Sequence, residues 1–504
     1  MKTKQAPVIP SWYGNIRHLF NEEDVNHMSP MGIHLNNYDD VKKHATDIYG
    51  QVASGNMPPD RPWNSDQKQL FLDWMKNNYP KGEPEKQKSS IFLPQRNTNA
   101  SRIRKDVRNL SSDEIKVLKK AFTGIMESDN HDDNSYYKIA GVHGLPDAYC
   151  LHHIPPYNPW HRAYLLAFEN ALRSIEGCEK VTLPYWDFYS EFPNVFNEAP
   201  FDSYTVKADL GVPYGKNYKT SRYEPSKIVD NFKKNDVIKH FKYSMTQKDW
   251  EDFHGGQAFK APNDTSIQAH DMGHVSTGKT MSDQNVASFD PIFWFYHCNI
   301  DRLFWEWQVK MNATDFNGLM STITTDLSKE YFTISALKVL KPLTNNPPHL
   351  NTVKIIDSIK NLDVDYGDPK DNETNEKVMT DFTTKRRGSV AASEKFYIDT
   401  TLANVRVKGI NRIKIPGSFK VHLLKDGNPI GTRAFFQPNE ADKCPNCVEN
   451  PFVHFDFKLP LDSIKSGKLE ALIEPLNHEP FGDRFPHKMM GNPTINVRLL
   501  LRNE

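Results

Sequence analysis

Hydrophobic residues recur along this chain at two different periods, and the change falls near residue 394. Before it the apolar positions follow a helical spacing. "NEEDVNHM", "YDDVKKHATDIYGQVASG" and "NSDQKQLFLDWMKNNYP" are short amphipathic pieces, with Pro58, Pro59 and Pro62 breaking the pattern before the last. Longer helices are predicted downstream. "DEIKVLKKAFTGIMES" stands behind a capping box, Ser111 to Glu114. "WHRAYLLAFENALRSIEG" is predicted to end at Gly177, and "QAHDMGHVS" is a shorter candidate. "DPIFWFYHCNIDRLFWEWQVKM" opens with Asp290 as N-cap and Pro291 at the first helical position. Beyond residue 394 the period becomes two, in "FYIDTTLANVRVKG", "SFKVHLLKDGNPIGTRAFF", "FVHFDFKLPL" and "TINVRLLLR", and Asp426-Gly427 marks a hairpin.

These patterns predict a mainly α core, a four-helix bundle with inward polar groups, followed by a C-terminal β-sandwich. The expected divisions are a small helical segment packing on the core at 1–95, the core at 96–368, a polar linker at 369–393 and the β-domain at 394–504.

Composition narrows the function classes. The 504 residues carry equal numbers of acidic and basic side chains, and aromatics reach 12%. A neutral balance without a basic tail argues against a nucleic-acid partner. No run of seven or more apolar residues follows the N-terminal lysines, and no window of about 18 apolar residues occurs. The expectation is a chain without signal peptide or membrane span, located in the cytoplasm. Five cysteines are too few for a disulfide framework in a chain of this length. Cys178 and Cys298 fall in helix-like patterns and read as inert core thiols.

Nineteen histidines are present, and most lie in polar contexts. Two groups differ. His143, His152 and His161 are spaced at nine and nine; His270 and His274 stand at i and i+4, with His297 on the next helix. An i, i+4 pair shares one helix face, so both rings can reach one metal. Three imidazoles without thiolate or carboxylate suit copper, zinc or iron. Two such triads facing across a bundle predict a binuclear centre. An isolated His-x-x-x-His is commonly a surface feature, and His153 competes with His152 on spacing.

The flanking sequence resembles a known family. "VHGLP…CLHHIPPYNPWHR" is similar to the copper A region of tyrosinases and polyphenol oxidases (catechol oxidases), and "HDMGH…FDPIFWFYHCNIDRLFWEWQ" to their copper B region. "LPYWDF" at 183–188 matches the segment between them. The opening "PSWYGNIRHLF" and a CxxC near the C-terminus resemble the longer, fungal-type pro-tyrosinases.

The resemblance implies a type-3 centre of two copper ions using O2 to oxidise o-diphenols, with monophenol hydroxylation in question, and a role of the melanin-forming kind. It implies His143, His152 and His161 on one copper, selecting His152 over His153, and His270, His274 and His297 on the other. It implies a thioether between Cys150 and His152. Family members that hydroxylate monophenols often carry a glutamate just before the copper B helix and an asparagine after its first histidine. Here Gln268 and Asp271 stand near those places, and Val275 is expected to line the entrance. Glutamine cannot accept a proton, whereas aspartate can. In the C-terminal domain Cys444 and Cys447 are implied in copper loading from a donor, and Phe435, nine residues earlier, in plugging the site, with Phe436 as its alternative.

Lys385-Arg386-Arg387 reads as a protease site in the linker, whose cutting releases a latent enzyme; Ser389 is a pattern match for phosphorylation. The partners expected are small phenols, and a homo-oligomer is left open. Competing readings are an o-aminophenol oxidase, a hydroxylase for one metabolite, and a hemocyanin-like O2 carrier.

Overall fold

The computed structural model describes residues 10–20, 22–55, 57–58, 62–82, 102–147, 149, 152–255, 265–333, 343, 355–367, 402–476 and 491–499. The expected linker at 369–393, with Lys385, Arg386, Arg387 and Ser389, lies outside the described residues, as does Cys150. The chain divides into two compact units, 1–93 and 94–504.

The first unit holds helices α1 (Glu22–Met28), α2 (Tyr38–Lys43), α3 (Ala45–Ser54) and α4 (Ser65–Lys76). Asn64 and Gln67 form a reciprocal capping box at the start of α4. Trp12, Trp63, Phe71 and Trp74 make its aromatic core, with Phe71 and Trp74 5.4 Å apart.

The second unit begins with strand β1 (Arg102–Arg104), which pairs in parallel with β2 (Val364–Tyr366). Between them come α5 (Ser112–Glu127), α6 (Tyr136–His143), α7 (Tyr157–Arg173), α8 (Pro225–Lys234), α9 (Val237–Ser244), α10 (Trp250–His254), α11 (Ser266–Thr277) and α12 (Ile292–Lys310). Ser111 and Glu114 cap α5 as the sequence predicts. Helix α7 stops at Arg173, earlier than expected; Gly177, at φ 76°, turns the chain only after the helix has ended. Helix α12 starts one residue later than expected, and the Asp290 carboxylate accepts from the Ile292 amide at 3.2 Å. Cys178 and Cys298 are free and buried.

A buried ionic network ties α7 to α12. Arg162 Nε donates to Asp301 Oδ1 at 2.7 Å, and Arg162 Nη1 to Gln308 Oε1 at 2.9 Å. Glu169 on α7 faces Arg102 at 2.9 Å and Arg104 at 3.4 Å. Burial pushes the Glu169 carboxyl up, but the two guanidinium groups and the Leu183 amide outweigh it and hold the group below the usual carboxylate range. The pairing fixes the relative rotation of the two helices one residue after His161 and four after His297.

The C-terminal part is two antiparallel three-stranded sheets, in orders β6-β3-β8 and β5-β4-β7. The strands are β3 (Leu402–Asn411), β4 (Phe419–Lys425), β5 (Asn428–Phe435), β6 (Phe452–Pro460), β7 (Leu469–Pro475) and β8 (Thr494–Leu499). Val405, Val407, Phe455 and Phe457 from one sheet meet Phe419, Val421, Leu423, Phe435 and Ile473 from the other in one buried core. The hairpin turn is Asp426-Gly427, both at positive φ, as a two-residue turn of this kind requires. The register shifts between Leu423 and Leu424, so Ile430 is an extra residue in β5.

Candidate metal centre

The helices that carry the site are α6, α7, α11 and α12. Helix α5, one of the four expected, carries no site histidine and packs against α6 and α7 instead. His143 is the last residue of α6, His152 lies on the loop before α7, and His161 is in the first turns of α7. His270 and His274 stand one turn apart on α11, and His297 is on α12.

The structure brings together both histidine groups that the sequence singles out. The ligand atoms of His143, His152 and His161 lie within 4.8 Å of one another, and so do those of His270, His274 and His297. The groups adjoin: His161 stacks on His297 at 4.6 Å and 9°, and His152 on His270 at 5.2 Å. His153 is not in either triad. Its φ of 59° reverses the backbone after His152, so adjacent rings point to different places.

The donor chemistry fits a metal pair. His161 Nδ1 is 2.9 Å from the Tyr157 carbonyl, His274 Nδ1 2.8 Å from the Met281 carbonyl, and His270 Nδ1 2.8 Å from Asp271 Oδ1. Each of these oxygens holds the proton on Nδ1 and leaves the Nε2 lone pair facing inward. Nε2 of His143, His161 and His270 is buried without a hydrogen-bond partner. His274 Nε2 and His297 Nε2 are 3.0 Å apart, a separation two nitrogens adopt when they share one ion. Burial keeps all six rings below their ordinary range and therefore neutral. His161 and His274 are pushed down to about 3 by burial, against the opposing effect of the carbonyls they face.

Close packing holds α11 against α12. Gly273 sits between His270 and His274, and a Cβ there would fall 1.8 Å from the Tyr296 hydroxyl. That hydroxyl donates to the His270 carbonyl at 3.1 Å. Phe293, one turn before His297, lies 4.1 Å from its ring and 4.8 Å from that of His143.

The C-terminal domain reaches the histidines through the alternative to Phe435. Phe436, not Phe435, lies over the histidines: its ring is 4.1 Å from His274 at 25°, 5.2 Å from His152 and 5.6 Å from His270. Phe435 faces the other way, into the sandwich core beside Phe419, with one face against His153. The reason is the extra residue Ile430. Counted straight from the hairpin turn, Phe419 would oppose Ala434, and Phe435 would point out of the sandwich. The bulge moves the register by one, so Phe419 opposes Phe435 and every later side chain changes face.

The residues expected to tune the reaction are engaged by this segment. Asp271 Oδ1 faces His270, while Oδ2 accepts from the Phe436 amide at 3.1 Å and lies 3.2 Å from His153 Nε2. Gln268 Nε2 donates to the Ala434 carbonyl at 3.4 Å. Val275 is buried on α11. Cys444 and Cys447 are joined as a disulfide, and Arg412 Nη2 donates to Cys447 Sγ at 2.9 Å. In that form the pair offers no thiolate, so a copper-loading role needs it reduced. Sequence reading missed a second tie between the domains. Asn439 N donates to Asn285 Oδ1 at 3.3 Å, and its side chain reaches Asp283 and Tyr214. No motif flags those four residues.

Comparison with known proteins gives the same assignment. The family model described as the common central domain of tyrosinase matches residues 133–310. A tyrosinase of Aspergillus oryzae is 25% identical over 455 residues, covering 64% of this chain and 80% of that one. Hemocyanin 2 of Megathura crenulata is 29% identical over 232 residues, 41% of this chain but only 6% of its own length. The crystal structure of apo-protyrosinase from Aspergillus oryzae superposes with a TM-score of 0.53 at 18% identity, covering 74% of this chain and 88% of that one. With six inward imidazoles inside the matched segment, residues 133–310 carry the common central domain of tyrosinase, ahead of a C-terminal sheet domain.

Proposed function

We propose that this protein is a copper oxidase of o-diphenols, kept latent by its own C-terminal domain. The observation that carries the reading is the Phe436 ring, stacked on His274 across two complete histidine triads. An aromatic ring on an imidazole at a metal pair stands where a phenol ring would stand.

His143, His152 and His161 would hold one copper ion and His270, His274 and His297 a second, and the pair would supply O2 binding and electron transfer. The chain's residues do the rest. Tyr157, Met281 and Asp271 keep His161, His274 and His270 in the tautomer whose Nε2 is free to ligate. Phe293 packs beside His143 and His297 and keeps water from that side. The His274 face receives the substrate ring once Phe436 leaves. Each catechol gives up two electrons and two protons; one O2 takes four of each from two catechols and yields two o-quinones and two waters.

Monophenol hydroxylation needs a base for the phenol proton. Gln268 offers none, and Asp271 stays engaged with His270 and His153 after Phe436 has left. Diphenol oxidation is therefore the activity proposed, with o-aminophenols as chemically related substrates. The protyrosinase among the similar structures supports latency. The hemocyanin match supports a second reading, reversible O2 carriage.

The test is turnover of 4-methylcatechol by the copper-loaded chain, before and after cleavage within 369–393, alongside metal analysis. Two coppers per chain and a strong rise on cleavage are expected. Reversible O2 uptake without quinone formation by the cleaved chain would favour the carrier. Cellular location, Cys150–His152 thioether formation and copper transfer from reduced Cys444 and Cys447 belong to the proposal as well. Among the described residues no helix is long and apolar enough to cross a membrane.

A further inference from the structure

We propose that the opened site is built to take a phenolic residue within a peptide, preceded by a second aromatic residue whose ring stacks on His153. The inference rests on the reading above, in which residues 434–436 are a removable occupant of a phenol-oxidising site.

The occupant is held as a peptide, through four separate contacts. Two are to its backbone: Gln268 Nε2 on the Ala434 carbonyl, and the Phe436 amide on Asp271 Oδ2. A peptide that adopts the same extended backbone presents these groups at the same spacing, and a free phenol presents neither. The third contact is the Phe436 ring on His274. The fourth is the Phe435 ring on His153, 4.1 Å between centroids and 10° between planes. Consecutive aromatic side chains thus meet two separate imidazole faces.

His153 is held ready for this without the C-terminal domain. Its left-handed backbone sets the ring away from the metal triad, and Asp271 Oδ2 lies 3.2 Å from Nε2. Asp271 is itself oriented by His270. These three residues all belong to the core. When the domain leaves, it removes Phe419 and Arg412 from the other side of Phe435, but the His153 shelf remains. The position that the ring of Phe435 vacates is one residue N-terminal to the reacting residue. A stacking contact of this quality corresponds to a preference of about tenfold.

The experiment uses the copper-loaded chain cleaved within 369–393, and two peptides of equal composition. In acetyl-Ala-Phe-X-amide and acetyl-Phe-Ala-X-amide, X is 3,4-dihydroxyphenylalanine. The first should show a KM about tenfold lower, and His153→Ala should bring the KM ratio to about one. In parallel, labelled Arg-Ala-Phe-Phe-Gln, the sequence of residues 433–437, should bind the metal-free cleaved chain by fluorescence anisotropy more tightly than Arg-Phe-Ala-Phe-Gln. Equal KM values together with equal anisotropy titrations, or a KM ratio unchanged in His153→Ala, overturn the proposal. Failure of latency is seen separately, as equal catechol turnover by cut and uncut chains. The uncut chain, whose site then already admits phenols, becomes the one titrated. If neither form oxidises catechol, the oxidase reading fails, and the anisotropy comparison alone decides the peptide site.

Discussion

The ring of Phe436 lies 4.1 Å from that of His274, nearly parallel to it, while its neighbour Phe435 turns into the core of the β-sandwich. The two phenylalanines therefore have separable effects. Phe436→Ala removes a tethered competitor held at high local concentration. It is expected to raise catechol turnover by the uncut chain on the order of tenfold, the buried ring being lost from the contact with the histidines and not from the sandwich core. Phe435→Ala empties a packed site beside Phe419 and Phe455, and should cost about 3–5 kcal/mol of folding free energy. Catechol assays beside urea unfolding of both variants check this. A rise in turnover confined to Phe435→Ala would contradict the placement.

Gly273 leaves no room for a side chain. Its Cβ would enter the Tyr296 ring, and that tyrosine bonds to the backbone beside His270. Gly273→Ala should separate α11 from α12 and destabilise by about 1–3 kcal/mol. It should also lower copper content, because His270 and His274 flank the glycine. Adding Tyr296→Leu should recover part of the metal bound. Metal analysis of the single and double variants measures both effects.

Each triad should hold its own ion. His161→Ala and His297→Ala each leave two imidazoles in one group and three in the other. The expected result is about one copper per chain instead of two, with catechol oxidation abolished in both. Copper content that stays at two in either variant would refute the assignment.

Much of this was legible in the sequence because ligand geometry is local. The i, i+4 pair of α11 and the capping signals of α5 specify positions within a few residues. So does the alternation of β4, with Phe419, Val421 and Leu423 inward. What escaped is non-local. Helix α6 supplies His143, yet its short apolar run "YYKIAGVH" has no clear period because nearly all of it is buried. Helix α11 has almost no apolar face for the related reason that every residue in it is buried, between α8 and α9 on one side and β5 on the other. The parity of Phe435 and Phe436 turned on one extra residue, Ile430, and its only mark in the sequence is the neighbouring Gly431 inside the strand, which suggests a bulge without fixing which residue is extra. The two faces of His152 and His153 are decided by a single left-handed backbone angle.

His254 supplies a pH dependence independent of the metal ligands. It ends α10, fully buried, with Nδ1 facing the Gly255 carbonyl and Tyr157 5.6 Å away. Burial lowers its pKa to about 4; the Gly255 carbonyl opposes the shift, His153 adds to it, and Glu251 opposes it. In the unfolded chain the ring returns to about 6.5. Below that value the unfolded state takes up a proton that the folded state refuses, so stability falls with pH. The contribution is complete above about pH 6.5 and is lost progressively down to about pH 4, by roughly 3 kcal/mol in all. The buried triad histidines slope in the same direction, so wild type alone cannot isolate the effect. His254→Gln removes the titrating group and keeps a polar side chain at the helix end. Urea unfolding of the metal-free chain at a series of pH values between 7 and 4.5 is the measurement. The variant should start less stable at pH 7 and lose less on acidification, so the two curves converge. Parallel curves would mean that His254 is protonated in the fold as readily as outside it.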